Sequence, residues 1–304
     1  MILSFEDVVT WMYVIVDDAW QQLASIYQRP GPAPRCSDSE LLTMLLVGEW
    51  CGWHTETALR RHWAEHAQLF PVIPERSRLN RRRRALAFAL NDVRRLILRL
   101  LDLAADRQCV IDSLPVPVIQ FHLVPSSPDA AATWKGYGAT YGYVPTKKQR
   151  IFGYKLTLLL ALNGVILDFT LAPADAADLA VGAELLAGHA LLDAIGDKGY
   201  VSAPVADVLD AEQDVHLLTP PRRNQHVQLP REAARRLNRL RQIIETVNSQ
   251  LTEQFQIGRH QAHTFWGLCA RLYAKLTAHT LCVYLNRLLG KEEYLQITTL
   301  GSSN

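Results

Sequence analysis

Ile151-Phe152-Gly153-Tyr154-Lys155-Leu156-Thr157-Leu158-Leu159-Leu160-Ala161-Leu162-Asn163-Gly164-Val165-Ile166-Leu167-Asp168-Phe169-Thr170-Leu171 is the stretch that decides how this chain folds. Two apolar runs flank Asn-Gly, the dipeptide whose residues most readily take the positive φ of a tight hairpin turn. The reading is a long strand over 151–162 that turns at Asn163-Gly164 into a partner over 165–171. Upstream, Gln108-Cys109-Val110-Ile111-Asp112 reads as a short buried strand. Downstream, the patterning predicts a helix over 178–189, a strand over 191–196, a helix over 203–211 and a strand over 215–219. Long helices over about 231–256 and 265–289 complete the series.

Residues 1–106 carry apolar positions at spacings of three and four and no strand-like alternation, so they read as wholly helical. Ser37-Asp38-Ser39-Glu40 has the spacing of a capping box and predicts a helix start. Thr55 can cap another helix, to about residue 67. Pro71 and Pro74 break the chain before a long basic helix over about 77–105, with Leu79, Leu86, Leu90, Val93, Ile97, Leu100 and Leu101 as its apolar stripe. Such a set of helices is compatible with a helix-turn-helix-like DNA reader and also describes many plain helical bundles; the arginine density favours the DNA-contact reading. The expected division is a helical N-terminal, DNA-binding domain over 1–106, a catalytic domain over 107–290 containing a long loop at about 119–150, and a tail over 291–304 whose last four residues, Gly301-Ser302-Ser303-Asn304, read as disordered.

The chain has 304 residues, 49% of them apolar, and a formal charge of +2. That near-neutral total hides basic clusters: Arg81, Arg82, Arg83 and Arg84 in a row, then Lys147 and Lys148, Arg222 and Arg223, and a series of arginines from Arg231 to Arg241. Such clusters on a near-neutral chain are the footprint of a polyanionic partner, although any one of them can be solvated helix surface. Five scattered cysteines without a Cys-x-x-Cys pair exclude a disulfide framework or a zinc site. The start Met1-Ile2-Leu3-Ser4-Phe5 has no basic segment of a signal peptide, and the apolar runs end well short of membrane-spanning length. The expected location is cytoplasmic.

Three acids occupy settings that fit one another. Asp112 closes a buried strand, Asp197 lies in Gly196-Asp197-Lys198-Gly199-Tyr200 at the end of another, and Glu245 lies on a helix among Ile243, Ile244 and Val247. Each has an ordinary alternative: a turn cap for Asp112, a plain turn for Asp197, a surface glutamate for Glu245, with Glu253 as a rival. Carboxylates behind buried segments cost free energy unless paired, and divalent cations pair them well. Hard carboxylate oxygens suit two Mg²⁺ ions, with Mn²⁺ as a substitute, and no imidazole or thiol cluster is expected to compete for a softer metal. Asp112 would bridge both ions, Asp197 would hold one and Glu245 the other. Lys155, Lys198 and Tyr200 are then placed to steady phosphates. Asp175 and Asp178 read as helix-start residues with room for a supporting role near the site. Arg259, with His260 and His263, follows the late helix and is a further DNA-contact candidate. Trp134 in the long loop reads as packed against the core rather than stacked on a base. Strand order and acid placement together predict an α/β, ribonuclease-H-like mixed sheet flanked by helices, behind an all-α N-terminal domain.

Val110-Ile111-Asp112-Ser113-Leu114-Pro115, Phe152-Gly153-Tyr154-Lys155-Leu156, Gly196-Asp197-Lys198-Gly199-Tyr200 and Ile244-Glu245-Thr246-Val247-Asn248, with Tyr13-Val14-Ile15-Val16-Asp17-Asp18 and Ser37-Asp38-Ser39-Glu40, resemble the DDE transposases of bacterial insertion sequences. The similarity is greatest to the group numbered nine-eight-two and runs over almost the whole chain. It implies that Asp112, Asp197 and Glu245 form the catalytic triad and that the DNA substrate is the element's terminal inverted repeats. It implies hydrolytic nicking that frees a 3′ hydroxyl, then attack of that hydroxyl on target DNA, by a protein at least dimeric. One departure is Thr157, where relatives often carry His. The alternatives are a metal-dependent DNA nuclease that stops at hydrolysis and a catalytically inactive, transposase-derived DNA-binding protein.

Overall fold

The computed structural model describes residues 3–101, 107–145, 148–220, 231–292 and 294–300. Lys147, Arg222, Arg223, the side chains of Arg231 and Arg236 and the tail 301–304 lie outside the described residues. The chain forms two compact units: residues 103–249, and a helical unit that joins residues 1–102 to 250–304.

The helical unit contains α1 (Phe5–Leu23), α2 (Asp38–Trp50), α3 (Glu56–Glu65), α4 (Arg76–Ala85) and α5 (Ala87–Leu100). The Ser37–Glu40 capping box forms as its spacing predicts, and Thr55 caps α3 by accepting from Ala58 N–H at 3.1 Å. The single basic helix expected over 77–105 is instead two, α4 and α5, separated at Leu86 without Gly or Pro. Of the predicted stripe, Leu79, Leu86, Leu90, Val93, Ile97 and Leu101 are buried and Leu100 is exposed.

α10 (Phe265–Leu288) packs with α5 and α2, and both it and α2 are buried on nearly every side. Charges that cross this interior are paired. Lys275 Nζ donates to Glu49 at 2.6 Å and to the Phe255 carbonyl at 2.5 Å, and His54 meets Glu49 at 2.8 Å. Arg271 binds Glu56 at 2.5 Å, and Arg83 binds the same carboxylate at 3.0 Å. Burial works against the Glu49 charge, yet Lys275 and His54 overcome it and hold the carboxyl down at about 2.

The second unit is built on β1 (Gln108–Ile119), β2 (Thr140–Val144), β3 (Gln149–Ala161), β4 (Ile166–Pro173), β5 (Leu192–Ile195) and β6 (Val215–Leu218). Asn163-Gly164 makes the predicted turn, with Gly164 at φ +82°, and β3 pairs antiparallel with β4. β3 also pairs antiparallel with β1, while β5 joins β1 in parallel and β6 joins β5 in parallel. With α7 (Asp178–Ala187), α8 (Ala203–Gln213) and α9 (Arg231–Glu253), this is the mixed, helix-flanked sheet of a ribonuclease-H-like fold, which follows an all-α region in the chain. Cys109, Ile111, Leu159, Leu185, Leu186, Ala194, Leu209 and Val215 pack into one core cluster under the sheet. Each large aliphatic side chain there contributes roughly 2 kcal/mol by leaving water.

Two expectations change. β1 is not a short strand ending at Asp112 but continues through Pro115 and Pro117. β5 covers β1 only from Gln108 to Val110, so beyond that point one edge is open and a missing N–H there costs little. The long loop at 119–150 instead contains α6 (Pro128–Lys135) and β2, which extends the sheet beside the first residues of β3. Trp134 in that insertion is buried, its ring edge-on to Tyr154 at 6.4 Å. The five cysteines are free. No helix among the described residues is long and apolar enough to cross a membrane.

Candidate active site

The parallel register of β1 and β5 ends at Val110 opposite Ile195. Asp112 lies two residues further on along β1, and Asp197 two residues past Ile195, in the turn that follows β5. Their charges feel each other. Burial pushes the Asp112 carboxyl up to about 6, with Asp197 and Asp178 adding to the rise and the Ser113 backbone N–H and Arg241 opposing it.

Asp197 is fixed by its own turn, where its side chain accepts from the Gly199 N–H at 2.7 Å. The turn then drops Tyr200 into the core against two glycines. A Cβ on Gly182 of α7 would come within 2.4 Å of the Tyr200 ring, and one on Gly196 within 3.0 Å. The Tyr200 hydroxyl meets Ser113 Oγ at 3.2 Å, and Ser113 meets Thr157 Oγ1 at 3.0 Å. Thr157 is thus a buried hydroxyl partner of the residue following Asp112.

On α9, Ile244 and Val247 are buried and turn the adjacent face inward. Arg241, Glu245 and Asn248 fall at i, i+4 and i+7, one stripe of the helix. Both ends of that stripe reach Asp112: Arg241 through its charge, and Asn248 by donating from Nδ2 to Asp112 Oδ2 at 3.2 Å. Glu245 lies between them, and it is exposed. Asn248 Oδ1 is buried without a protein hydrogen-bond partner. Carboxylates that repel one another beside an orphaned oxygen acceptor form a donor set suited to a hard divalent cation or its bound water.

A family model described as transposase DDE domain matches residues 105–281. The chain belongs to this family. Neither the curated proteins nor the solved structures give a match.

In this DDE-domain protein the other predicted site residues divide. Lys155 lies on β3 and donates to Asp178 at 2.8 Å, which ties the start of α7 to the sheet near Asp112. Lys198, Lys148 and Arg259 are exposed. Tyr200, expected at a phosphate, is 1% exposed and serves as a wedge under the site. The arginine run is also divided. Arg82 donates to the Cys36 and Ser37 carbonyls and to Asp38 at 2.6 Å, and Arg83 is buried on Glu56, whereas Arg81 and Arg84 face solvent. Arg82 and Arg83 are therefore corrected from DNA contacts to struts of the helical unit.

A second acidic group was not foreseen. Asp210, Asp214 and His216 offer ligand atoms within 4.8 Å of one another, a candidate metal cluster. His216 sits opposite Asp193 in the β5–β6 register, two residues before Ile195, at the far end of β5 from Asp197. A hydrogen bond to Asp193 raises the His216 imidazole above its ordinary value, so a metal there must displace a favoured proton. Asn248 and Arg241 were likewise missed as site residues, because a helical stripe facing one strand residue is visible only once the helix is docked.

Proposed function

We propose that this chain is the transposase of a bacterial insertion sequence, of the group nine-eight-two pattern that its motifs resemble. In this reading it binds the element's terminal inverted repeats, hydrolyses a phosphodiester bond at each end and joins the freed 3′ hydroxyl to target DNA. It works in the cytoplasm on nucleoid DNA, as a homodimer, since two ends must be brought together. What supports it is the convergence on one carboxylate: the Asp197 charge is felt at Asp112, and the Arg241–Glu245–Asn248 stripe reaches Asp112 through Arg241 and Asn248.

Asp112, Asp197 and Glu245 would hold two Mg²⁺ ions, or Mn²⁺ in their place. When bound, such ions would supply an activated water and neutralise charge on the leaving oxygen. Asn248 orients the Asp112 carboxylate by fixing Oδ2. Arg241 lowers the cost of keeping Asp112 ionised when the ions leave. Lys155 and Lys198 flank the acids and offer cations to the phosphates on either side of the scissile bond, and the exposed Arg81, Arg84, Lys148 and Arg259 supply further phosphate contacts.

The test is incubation of the protein with labelled element ends, Mg²⁺ and a supercoiled target, with Asp112→Ala as control. Expected are nicks at the element boundary and joined products, both lost in the variant. Nicks without joining would replace the reading by a nuclease that stops at hydrolysis. DNA binding with no nicks from the native protein would replace it by an inactive DNA-binding relative.

A further inference from the structure

The insertion between β1 and β3 builds a cleft of roughly 640 Å³ whose aromatic wall the catalytic reading leaves unused. Phe121, Tyr141, Tyr143, Arg150, Lys155 and Asp175 are among its lining residues. Tyr141 and Tyr143 alternate along β2 and so share a face, about 7 Å apart at strand rise. They are 49% and 57% exposed, and Phe121 beside them is 38% exposed, unusual for rings on an ordered strand and turn.

The platform is held firmly. Gly142 lets β2 press on the end of β4, where any Cβ would meet the Ala174 carbonyl at 2.5 Å. Thr140 donates to Asp175 at 2.7 Å and accepts from the Asp175 N–H at 3.2 Å. The Tyr141 ring lies 5.0 Å from Phe152 and 5.9 Å from Phe121, with the Lys135 ammonium 5.7 Å from its centroid. Arg150 stands opposite Tyr143 in the β2–β3 register. At the other end of the cleft Lys155 reaches Asp178, one of the carboxylates that repel Asp112.

Half-exposed rings at alternate strand positions, with Lys135 over one of them and Arg150 and Lys155 beside them, match the chemistry of unpaired bases on a phosphate backbone. A duplex keeps its base faces stacked and offers them nothing. We propose that this cleft binds single-stranded DNA, stacking successive bases on Tyr141 and Tyr143 and leading the strand to the carboxylates. The choice of DNA rests on the function proposed above; the stacking itself does not.

Anisotropy of a short fluorescein-labelled oligo(dT), compared with a blunt duplex of unrelated sequence and without divalent metal, tests it. The native protein should bind the single strand more tightly. Tyr141→Ala with Tyr143→Ala should weaken single-strand binding by roughly tenfold for each ring lost, while duplex binding stays within about twofold. Tyr141→Phe with Tyr143→Phe should keep the native affinity, which separates stacking from misfolding. Native protein that binds oligo(dT) through these rings yet nicks no element end would remove the transposase reading and leave this one. Unchanged oligo(dT) affinity in the double alanine variant, or a native preference for duplex, would overturn the proposal.

Discussion

Asn248 Nδ2 donates to Asp112 Oδ2 at 3.2 Å, joining a late helix to the first strand across 136 positions of sequence. That bond makes the Asp112 carboxylate a fixed rather than a rotating group, and it lies on the stripe that carries Glu245. Replacing Asn248 by Ala should cut metal-dependent nicking at least tenfold while leaving DNA affinity unchanged, as measured by single-turnover cleavage and anisotropy. Equal losses in both would assign Asn248 to DNA binding instead.

Asp112 also predicts how stability depends on pH. Its folded value of about 6 lies above the ordinary 3.8, so folding takes up a proton there. The protonated form stabilises fully below about 3.8, and that contribution fades as pH rises through 6, on the order of 2–3 kcal/mol in total. In chelator, Asp112→Asn should therefore melt higher than the native protein at pH 7.5 and nearly with it at pH 4. Mg²⁺ should raise the native melting temperature at pH 7.5 and leave that of the variant unmoved. A variant that melts lower at both pH values would contradict the assignment.

Among the described residues, the Glu49–Lys275 pair is the most deeply buried ion pair of the helical unit. Lys275→Met should destabilise by about 3–5 kcal/mol in urea titration, since it strands the Glu49 charge in the interior. Adding Glu49→Gln should recover part of that loss; an additive second loss would mean that the two groups act independently.

Arg81→Ala with Arg84→Ala should weaken DNA binding and lower its salt slope by roughly 1.8, two phosphate contacts' worth, without changing the melting temperature. Arg82→Ala and Arg83→Ala should instead lower the melting temperature. Matching behaviour from all four positions would refute the division of the run.

Much of this architecture can be read from the chain because apolar period and turn chemistry agree. The Asn163-Gly164 hairpin, the Ser37–Glu40 box and every element from α7 to α10 stand within a few residues of their expected positions. The full length of β1 was hidden because Pro115 and Pro117 argue against a strand unless one edge is known to be open. α6 and β2 were hidden among Gly, Ser and Tyr, where no apolar period marks them. The burial of Arg82 and Arg83 depends on acceptors at Cys36, Ser37, Asp38 and Glu56, and only tertiary packing brings these near. The acids of the proposed triad were legible as residue types in their settings: Asp112 on an apolar strand, Asp197 in the turn after another, Glu245 on a helix. Arg241 and Asn248 were not, since nothing local separates them from other polar residues on a helix.

The Tyr200 ring occupies the space that side chains at 182 and 196 would otherwise claim, directly beneath the turn that bears Asp197. Evolution can therefore not vary these three positions one at a time. Among homologues, a bulkier residue at 182 should occur only together with a slimmer one at 200, a covariation that sequence collections can reveal without any bench work.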